Sequence, residues 1–295
     1  MSLEEEVEKC SRIHDSLAQY WNWAYYDTPY EGDCSWILEE YVKQIKPDVE
    51  RRVPAMLSEM QELLKESPRD SLSILDVGCG VGGFIYRIMS RLSQEYPSVK
   101  LRASGIDISS EMIDCAKEHL RDFDVELICD SITNRDSKFK NEPFDVAVMM
   151  VTLSFYGNEN AKKVLQSIHN RLKRDGCLLL MDFAWTYTWS GLHLFSKPLQ
   201  RLADMLFSNL LGEPFRFRNR TEDQLKALLV ESGFEVARSY LTERKSKMKG
   251  MLVLKAHSLT KDVATDKPNS EEFAISTLAT DEQKPIMSRT ARHVR

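Results

Sequence analysis

Several protein classes can be set aside from what this chain lacks. Its cysteines (Cys10, Cys34, Cys79, Cys115, Cys129 and Cys177) include no C-x-x-C pair, and its six histidines have no metal-ligand spacing. No metal site is expected, and scattered reduced thiols fit a cytosol-like compartment. No apolar run approaches the ~18 residues of a membrane helix. Behind the acidic start Glu4-Glu5-Glu6 there is no basic-then-apolar leader, so neither a signal peptide nor a membrane span is expected and the protein reads as cytoplasmic. Internal repeats are absent. The formal charge of −5 shows no cationic excess, which speaks against DNA as a partner and against a general nucleic-acid binder. Beyond about residue 259, Lys, Asp, Glu, Ser, Thr and Pro mix without apolar periodicity, and 259–295 reads as a disordered tail.

The most informative run present is Ile74-Leu75-Asp76-Val77-Gly78-Cys79-Gly80-Val81-Gly82-Gly83-Phe84-Ile85. A short apolar strand ends in an acid and turns through glycines into a helix, whose apolar positions Phe84, Ile85, Ile88, Met89 and Leu92 follow at helical spacing. Glycine has no Cβ to hold a ligand away from the backbone N–H groups, so this loop suits a nucleotide-like cofactor. The spacing alone is a weak signal; the flanking strand and helix strengthen it. A second strand ends in Gly105-Ile106-Asp107, and a carboxylate at that tip can accept two hydrogen bonds from a ribose diol. The bland alternative is a strand–turn–helix corner whose glycines only permit tight packing.

Further elements follow in α/β order. Helices are predicted up to about Ser67, then strands at Ser73–Val77, Lys100–Ile106, Val125–Cys129, Phe144–Val151 and Cys177–Phe183. Helices at Gly83–Tyr96, Ser109–Arg121 and Glu159–Leu172 separate them. A helix at Thr221–Ser232, with Thr221 as N-cap, leads to a hairpin of Phe234–Leu241 and Gly250–His257. Continuous apolar strands such as Val146–Val151 suit a sheet buried on both faces.

These residues resemble the class I S-adenosylmethionine methyltransferases. Asp76-Val77-Gly78-Cys79-Gly80-Val81-Gly82 is similar to their D-x-G-x-G-x-G motif, and Asp107 to their ribose-binding acid. Cys129-Asp130-Ser131-Ile132 resembles the acidic position that meets the adenine amine. Pro143–Val148 and Leu172–Leu180 resemble the fourth strand and the turn into the fifth. The resemblance implies a doubly wound, Rossmann-like α/β sheet of seven strands, parallel except for the last. It implies S-adenosylmethionine as cofactor, with Asp76, Gly78, Gly80 and Gly82 around the methionine moiety. Asp107 with Ile108 would meet the ribose, Asp130 with Ser131 the adenine, and Val151 would close the fourth strand at the site. The expected organisation is an N-terminal helical lid over 1–70 and a cofactor domain over 71–258, with residues 184–220 inserted after the fifth core strand as a substrate cap.

Three segments bear on the acceptor. The run from Tyr20 to Tyr30 is densely aromatic; its rings, Tyr20, Trp23 and Tyr26 among them, either wall a substrate pocket under the lid or dock a helix on the core. In Ala184–Arg220, Leu192, Phe195, Leu199, Leu202, Leu206 and Leu210 form a helical stripe after Trp185 and Trp189. It packs on the domain, roofs an apolar pocket, or touches lipid peripherally. Glu243–Lys249 is a basic loop that is either a solvated turn or a guide for an anionic substrate.

Methyl transfer needs a general base only when the acceptor loses its proton near the transition state. Candidates are His14, Tyr20, Tyr25, Tyr26, Tyr156 and His193, none privileged by spacing. The segment Met149–Tyr156 lacks the N-P-P-Y tetrad of amide and adenine N-methyltransferases and resembles the small-molecule members instead. The expected activity is therefore methylation of a small, partly apolar or aromatic metabolite. The rivals are an RNA or protein methyltransferase using Arg216–Arg220 and Arg244–Lys249, and a non-catalytic subunit that binds a partner.

Overall fold

The computed structural model describes residues 1–26, 52–183, 218, 220–242 and 251–259. Helix α1 (Leu3–Tyr26) is followed by α2, described over residues 52–66. The alternation then runs β1 (Ser71–Val77), α3 (Gly83–Glu95), β2 (Lys100–Asp107), α4 (Ser110–Leu120), β3 (Val125–Cys129), β4 (Phe144–Met150), α5 (Asn158–His169) and β5 (Leu172–Phe183). It closes with α6 (Glu222–Glu231), β6 (Phe234–Leu241) and β7 (Met251–Ser258). The strands form one seven-stranded sheet in the order β3-β2-β1-β4-β5-β7-β6. Neighbours from β3 through β5 pair parallel, and β7 is antiparallel to both β5 and β6. This is the doubly wound, Rossmann-like sheet expected from the motifs.

Local chemistry explains the boundaries. β1 is buried after its first residue and β4 up to its last, as their unbroken apolar runs require of strands covered on both faces. Ser109 caps α4 by accepting the Met112 N–H, and Thr221 with Gln224 makes a reciprocal capping box at α6. One face of the sheet packs Val146, Val148 and Leu179 against Met56, Met60, Phe84, Ile88 and Leu92 of α2 and α3. The other packs Leu75, Ala147 and Leu178 against Val164, Ile168, Leu225 and Leu229 of α5 and α6.

The fifth strand corrects the sequence reading. A helix to Leu172 and a strand from Cys177 were expected; α5 instead ends at His169, and β5 starts at Leu172. The reason is long-range pairing. The Phe144 N–H donates to the Arg171 carbonyl at 2.9 Å, and Lys173 Nζ reaches Asp145 Oδ1 at 2.9 Å. These contacts hold the charged stretch before Gly176 in the ladder, with a register shift between Phe144 and Val146.

β1 pairs with β2 on one side and β4 on the other, and the chain order reverses between them. In such sheets the crevice at the strands' carboxyl ends is the ligand site.

Candidate active site

The glycine loop leaves β1 at that crevice. Gly78, Gly80 and Gly82 have φ of 75°, 53° and 76°. Gly78 must be glycine for a second reason: a Cβ there would lie 2.2 Å from Thr152 Oγ1, in the turn after β4. The Gly78 and Cys79 N–H groups donate to the Ile106 carbonyl at 2.8 and 3.2 Å. Asp107 finishes the loop, its Oδ2 accepting the Gly80 N–H at 2.9 Å and its Oδ1 the Ser109 N–H at 3.0 Å. Each carboxylate oxygen keeps a further lone pair.

Asp76 is different in kind. It is 1% exposed, and its Oδ2 has no hydrogen-bond partner. Burial, with the Asp107 carboxylate adding to it, pushes its pKa up to about 8. A buried, unpaired carboxylate oxygen is costly in a folded protein and marks a place where a donor is missing.

At the β3 tip, Asp130 is turned into its own loop. Its Oδ1 accepts the Ser131 N–H, and its Oδ2 accepts Asn134 Nδ2 and the Ser137 hydroxyl. At the β4 tip, Val151 has φ of 62°, a strained conformation for a β-branched residue. Its N–H donates to the Met181 carbonyl at 2.8 Å.

Helix α1 crosses this whole edge. The Ser11 hydroxyl donates to the Ile108 carbonyl at 2.9 Å, and Asp15 Oδ1 accepts from the Ser109 hydroxyl at 2.6 Å. At its far end the Tyr26 hydroxyl donates to the Val81 carbonyl at 3.2 Å, and the Tyr26 ring stacks on His119 at 3.6 Å. Tyr25 lies so close to the start of α3 that a Cβ on Gly83 would be 2.0 Å from its Cδ1. At the near end, the buried Glu6 carboxylate accepts the Gly157 N–H, takes Asn160 Nδ2 at 2.7 Å, and pairs with Arg218 at 2.7 Å.

Residues 74–176 match a family model described as a methyltransferase domain. Over 165 residues the chain is 27% identical to a carboxy-S-adenosyl-L-methionine synthase of Hydrogenovibrio crunogenus, covering 53% of this chain and 62% of that protein. Over 148 residues it is 28% identical to a malonyl-[acyl-carrier protein] O-methyltransferase of Acetivibrio thermocellus, covering 50% of this chain and 47% of that one. The chain thus spans less than two thirds of the length of these curated relatives. The crystal structure of magnesium protoporphyrin IX methyltransferase from Synechocystis PCC 6803 with bound SAH shares the fold, with TM-score 0.56 and 19% identity over 83% of this chain and 98% of that chain. Residues 74–176 therefore resemble a methyltransferase domain.

Within and around this matched region, the expected site residues are distributed unevenly. Asp76, Gly78, Gly80, Asp107 and Ile108 gather at the β1 and β2 tips. Gly82, although in the loop, turns toward α4, where a Cβ would meet Leu120 Cδ1 at 2.7 Å. Tyr20 is buried and Trp23 half-buried, and both sit in an apolar cluster with Val81 and Met112. His14 stands edge-on to Phe155 at 4.7 Å, and burial lowers its pKa against the opposing pull of the Asp107 and Asp15 carboxylates. Tyr156 is buried, and burial, then Cys10, Asp107 and Glu6, raise its pKa. Burial likewise raises Tyr25 and Tyr26. His193, Trp185, Trp189, the stripe from Leu192 to Leu210, the loop 243–249 and the tail from 260 lie outside the described residues.

The internal roles of four residues escape the sequence reading: Glu6, Thr152, and Arg218 with Arg220, which the sequence shows only as part of a basic segment for an RNA or protein acceptor. Arg220 is 4% exposed and donates to the carbonyls of Leu153 and Tyr156 and to Asn158 Oδ1. Arg218 donates to the Phe155 carbonyl at 2.6 Å. Glu6 reads locally as one of three surface glutamates, and the two arginines as a basic stretch. No local pattern distinguishes them, because their partners are far away in sequence.

Proposed function

We propose that the protein transfers the methyl group of S-adenosylmethionine to a small, partly apolar or aromatic acceptor. The observation that carries the cofactor half is the orphaned Asp76 Oδ2, buried beside the glycine loop. The α-ammonium of the cofactor's methionine moiety is the donor that would satisfy it. Asp107 keeps lone pairs for the ribose diol, and the α3 N-terminus offers backbone N–H groups to the methionyl carboxylate. Asp130 with Ser131 is the candidate for the adenine, and would first release the Asn134 or Ser137 contact. Residues present and ligand chemistry therefore fit.

When bound, S-adenosylmethionine supplies a methyl already activated on a sulfonium with a good leaving group. What this chain adds is alignment and exclusion of water. In this reading α1 is a lid over the cofactor edge. His14, neutral near pH 7, can accept an acceptor proton; Tyr25, Tyr26 and Tyr156 keep their phenol protons and act as donors or walls. A small acceptor is favoured by the ring-lined segment around Phe155 and Tyr156. RNA is disfavoured because the Arg218 and Arg220 guanidiniums are committed to internal partners. The relatives' names, a carboxy-S-adenosyl-L-methionine synthase and a porphyrin methyltransferase among them, also point to small molecules.

Calorimetric titration with S-adenosylmethionine and S-adenosylhomocysteine tests the reading. Wild type should bind both with Kd on the order of micromolar. Asp107→Ala should bind roughly a hundredfold more weakly, as two hydrogen bonds to a charged group are lost. Its thermal melt must be recorded alongside, because Asp107 also anchors Gly80 and Ser109. No binding by folded wild type would sink the enzyme reading in favour of the partner-binding subunit.

A further inference from the structure

We propose that Glu6 is a positioning residue that makes the cofactor side and the acceptor side of the transfer site order together. The inference rests on the methyltransferase reading and deepens it.

The two sides of the edge are built from different parts of the chain. Ile108, Ser109 and the glycine loop meet α1 at its middle and C-terminal end. The turn after β4 and the chain entering α6 meet it at Glu6. Twenty residues of continuous helix separate Glu6 from Tyr26, a rigid span of about 30 Å. One rod therefore touches both sides.

Glu6 is the joint at the acceptor end. Its side chain is 3% exposed and receives three donors from three places: the Gly157 N–H, Asn160 Nδ2 on the first turn of α5, and the Arg218 guanidinium. Arg218 in turn donates from its backbone N–H to the Ser154 carbonyl at 2.9 Å and from its side chain to the Phe155 carbonyl. Segment 153–157 follows strained Val151 and precedes α5, which puts it where an acceptor would be presented. A buried carboxylate with an Arg partner holds only while both are in place; loss of either strands a buried charge. Glu6 thus fixes α1, the turn after β4 and Arg218 in one arrangement. No surface carboxylate could do this, since exposed pairs contribute little.

The test uses the full chain and needs no acceptor. Hydrogen exchange of residues 153–160 is followed with and without saturating S-adenosylhomocysteine, in wild type, Glu6→Gln, Arg218→Gln and the double variant. Glu6→Gln keeps an acceptor oxygen for Gly157 and drops the charge. In wild type the ligand should slow exchange at 153–160 about tenfold or more, the scale of one hydrogen bond to a charged group. In both single variants that slowing should vanish, while ligand Kd changes less than about threefold because Asp76, Asp107 and the glycine loop are untouched. The double variant should be no worse than either single one, as for two halves of one interaction.

Ligand-dependent slowing that persists in Glu6→Gln, or additive effects in the double variant, would overturn the coupling while leaving the methyltransferase reading intact. Wild type that binds no S-adenosylhomocysteine would overturn both. A Glu6→Gln protein too unstable to measure leaves Arg218→Gln, in which the carboxylate still caps α5, to decide.

Discussion

The two halves of the sheet's carboxyl edge are built by different means. The half proposed for the cofactor is made of backbone groups and small residues within two short stretches, 76–83 and 107–109, held by hydrogen bonds between adjacent strands. The half proposed for the acceptor is made of long side chains drawn from remote positions: Glu6 meets Gly157 across 151 residues, and Arg220 meets Leu153 across 67. A site that must fit one invariant ligand suits rigid backbone geometry. One that must fit a variable acceptor is set by side chains that can change without disturbing the sheet. Thr152 is where the halves touch, because its hydroxyl stands against Gly78.

The largest effect should come from filling that contact. In Gly78→Ala the new Cβ would face Oγ1, Cγ2 and Cβ of Thr152 at 2.2, 2.8 and 3.0 Å, with φ at +75°. A β-branched side chain has few rotamers in which to yield. Together with the left-handed backbone, the cost should be about 3 kcal/mol or more in urea unfolding. Gly80→Ala is the control: its nearest neighbour is Met112 Sδ at 3.8 Å, so only the backbone cost of about 1–2 kcal/mol remains. Equal losses in the two variants would show that Thr152 gives way freely and that the halves are not in rigid contact.

This division also decides what was legible in the sequence. The strand–glycine–helix corner, Asp107 and the Thr221 cap are local patterns, and each was found in place. The start of β5 was missed because Leu172–Asp175 looks like a charged helix end; only Phe144 and Asp145 across the sheet make it a strand. Glu6 was missed for the same reason, since nothing in Glu4-Glu5-Glu6 tells the third from its neighbours until α5 is packed beside it. Periodicity reports burial along one element. It is silent on partners 150 residues away.

A smaller effect separates the two acids of the cofactor half. Asp107 has its hydrogen bonds already, whereas Asp76 waits for a donor and holds its proton to about pH 8. The folded state therefore binds that proton more tightly than the unfolded chain, where the group returns to its ordinary range near 4. Stability from this group is present at low pH and is lost as pH rises from about 4 to about 8. The difference in Tm between wild type and Asp76→Asn should accordingly shift in the variant's favour across that window. A cationic ligand at Asp76 reverses the preference, so S-adenosylmethionine affinity should rise by up to tenfold per unit from about pH 6 to 7.5. Asp76→Asn should flatten that rise. Asp107 and Tyr25 also face the group and both remain in the variant, and a slope that survives in Asp76→Asn would show that Asp76 is not its source.

The smallest effect is expected at the far end of α1, where the comparison can be made within one helix. Tyr26→Phe removes one hydroxyl donor to the Val81 carbonyl, a 3.2 Å bond at a half-buried site. The ring stays on His119 and edge-on to Tyr86, so the packing that holds this end is retained. A neutral hydrogen bond of that kind contributes roughly 0.5–1.5 kcal/mol, and cofactor affinity should change less than about threefold. Glu6 at the other end is a buried carboxylate that receives three donors. Unfolding curves of Tyr26→Phe and Glu6→Gln, taken side by side, would show whether α1 is anchored at its charged end and merely rests at its aromatic one. A larger loss in Tyr26→Phe would invert that assignment and place the anchor of α1 at Tyr26.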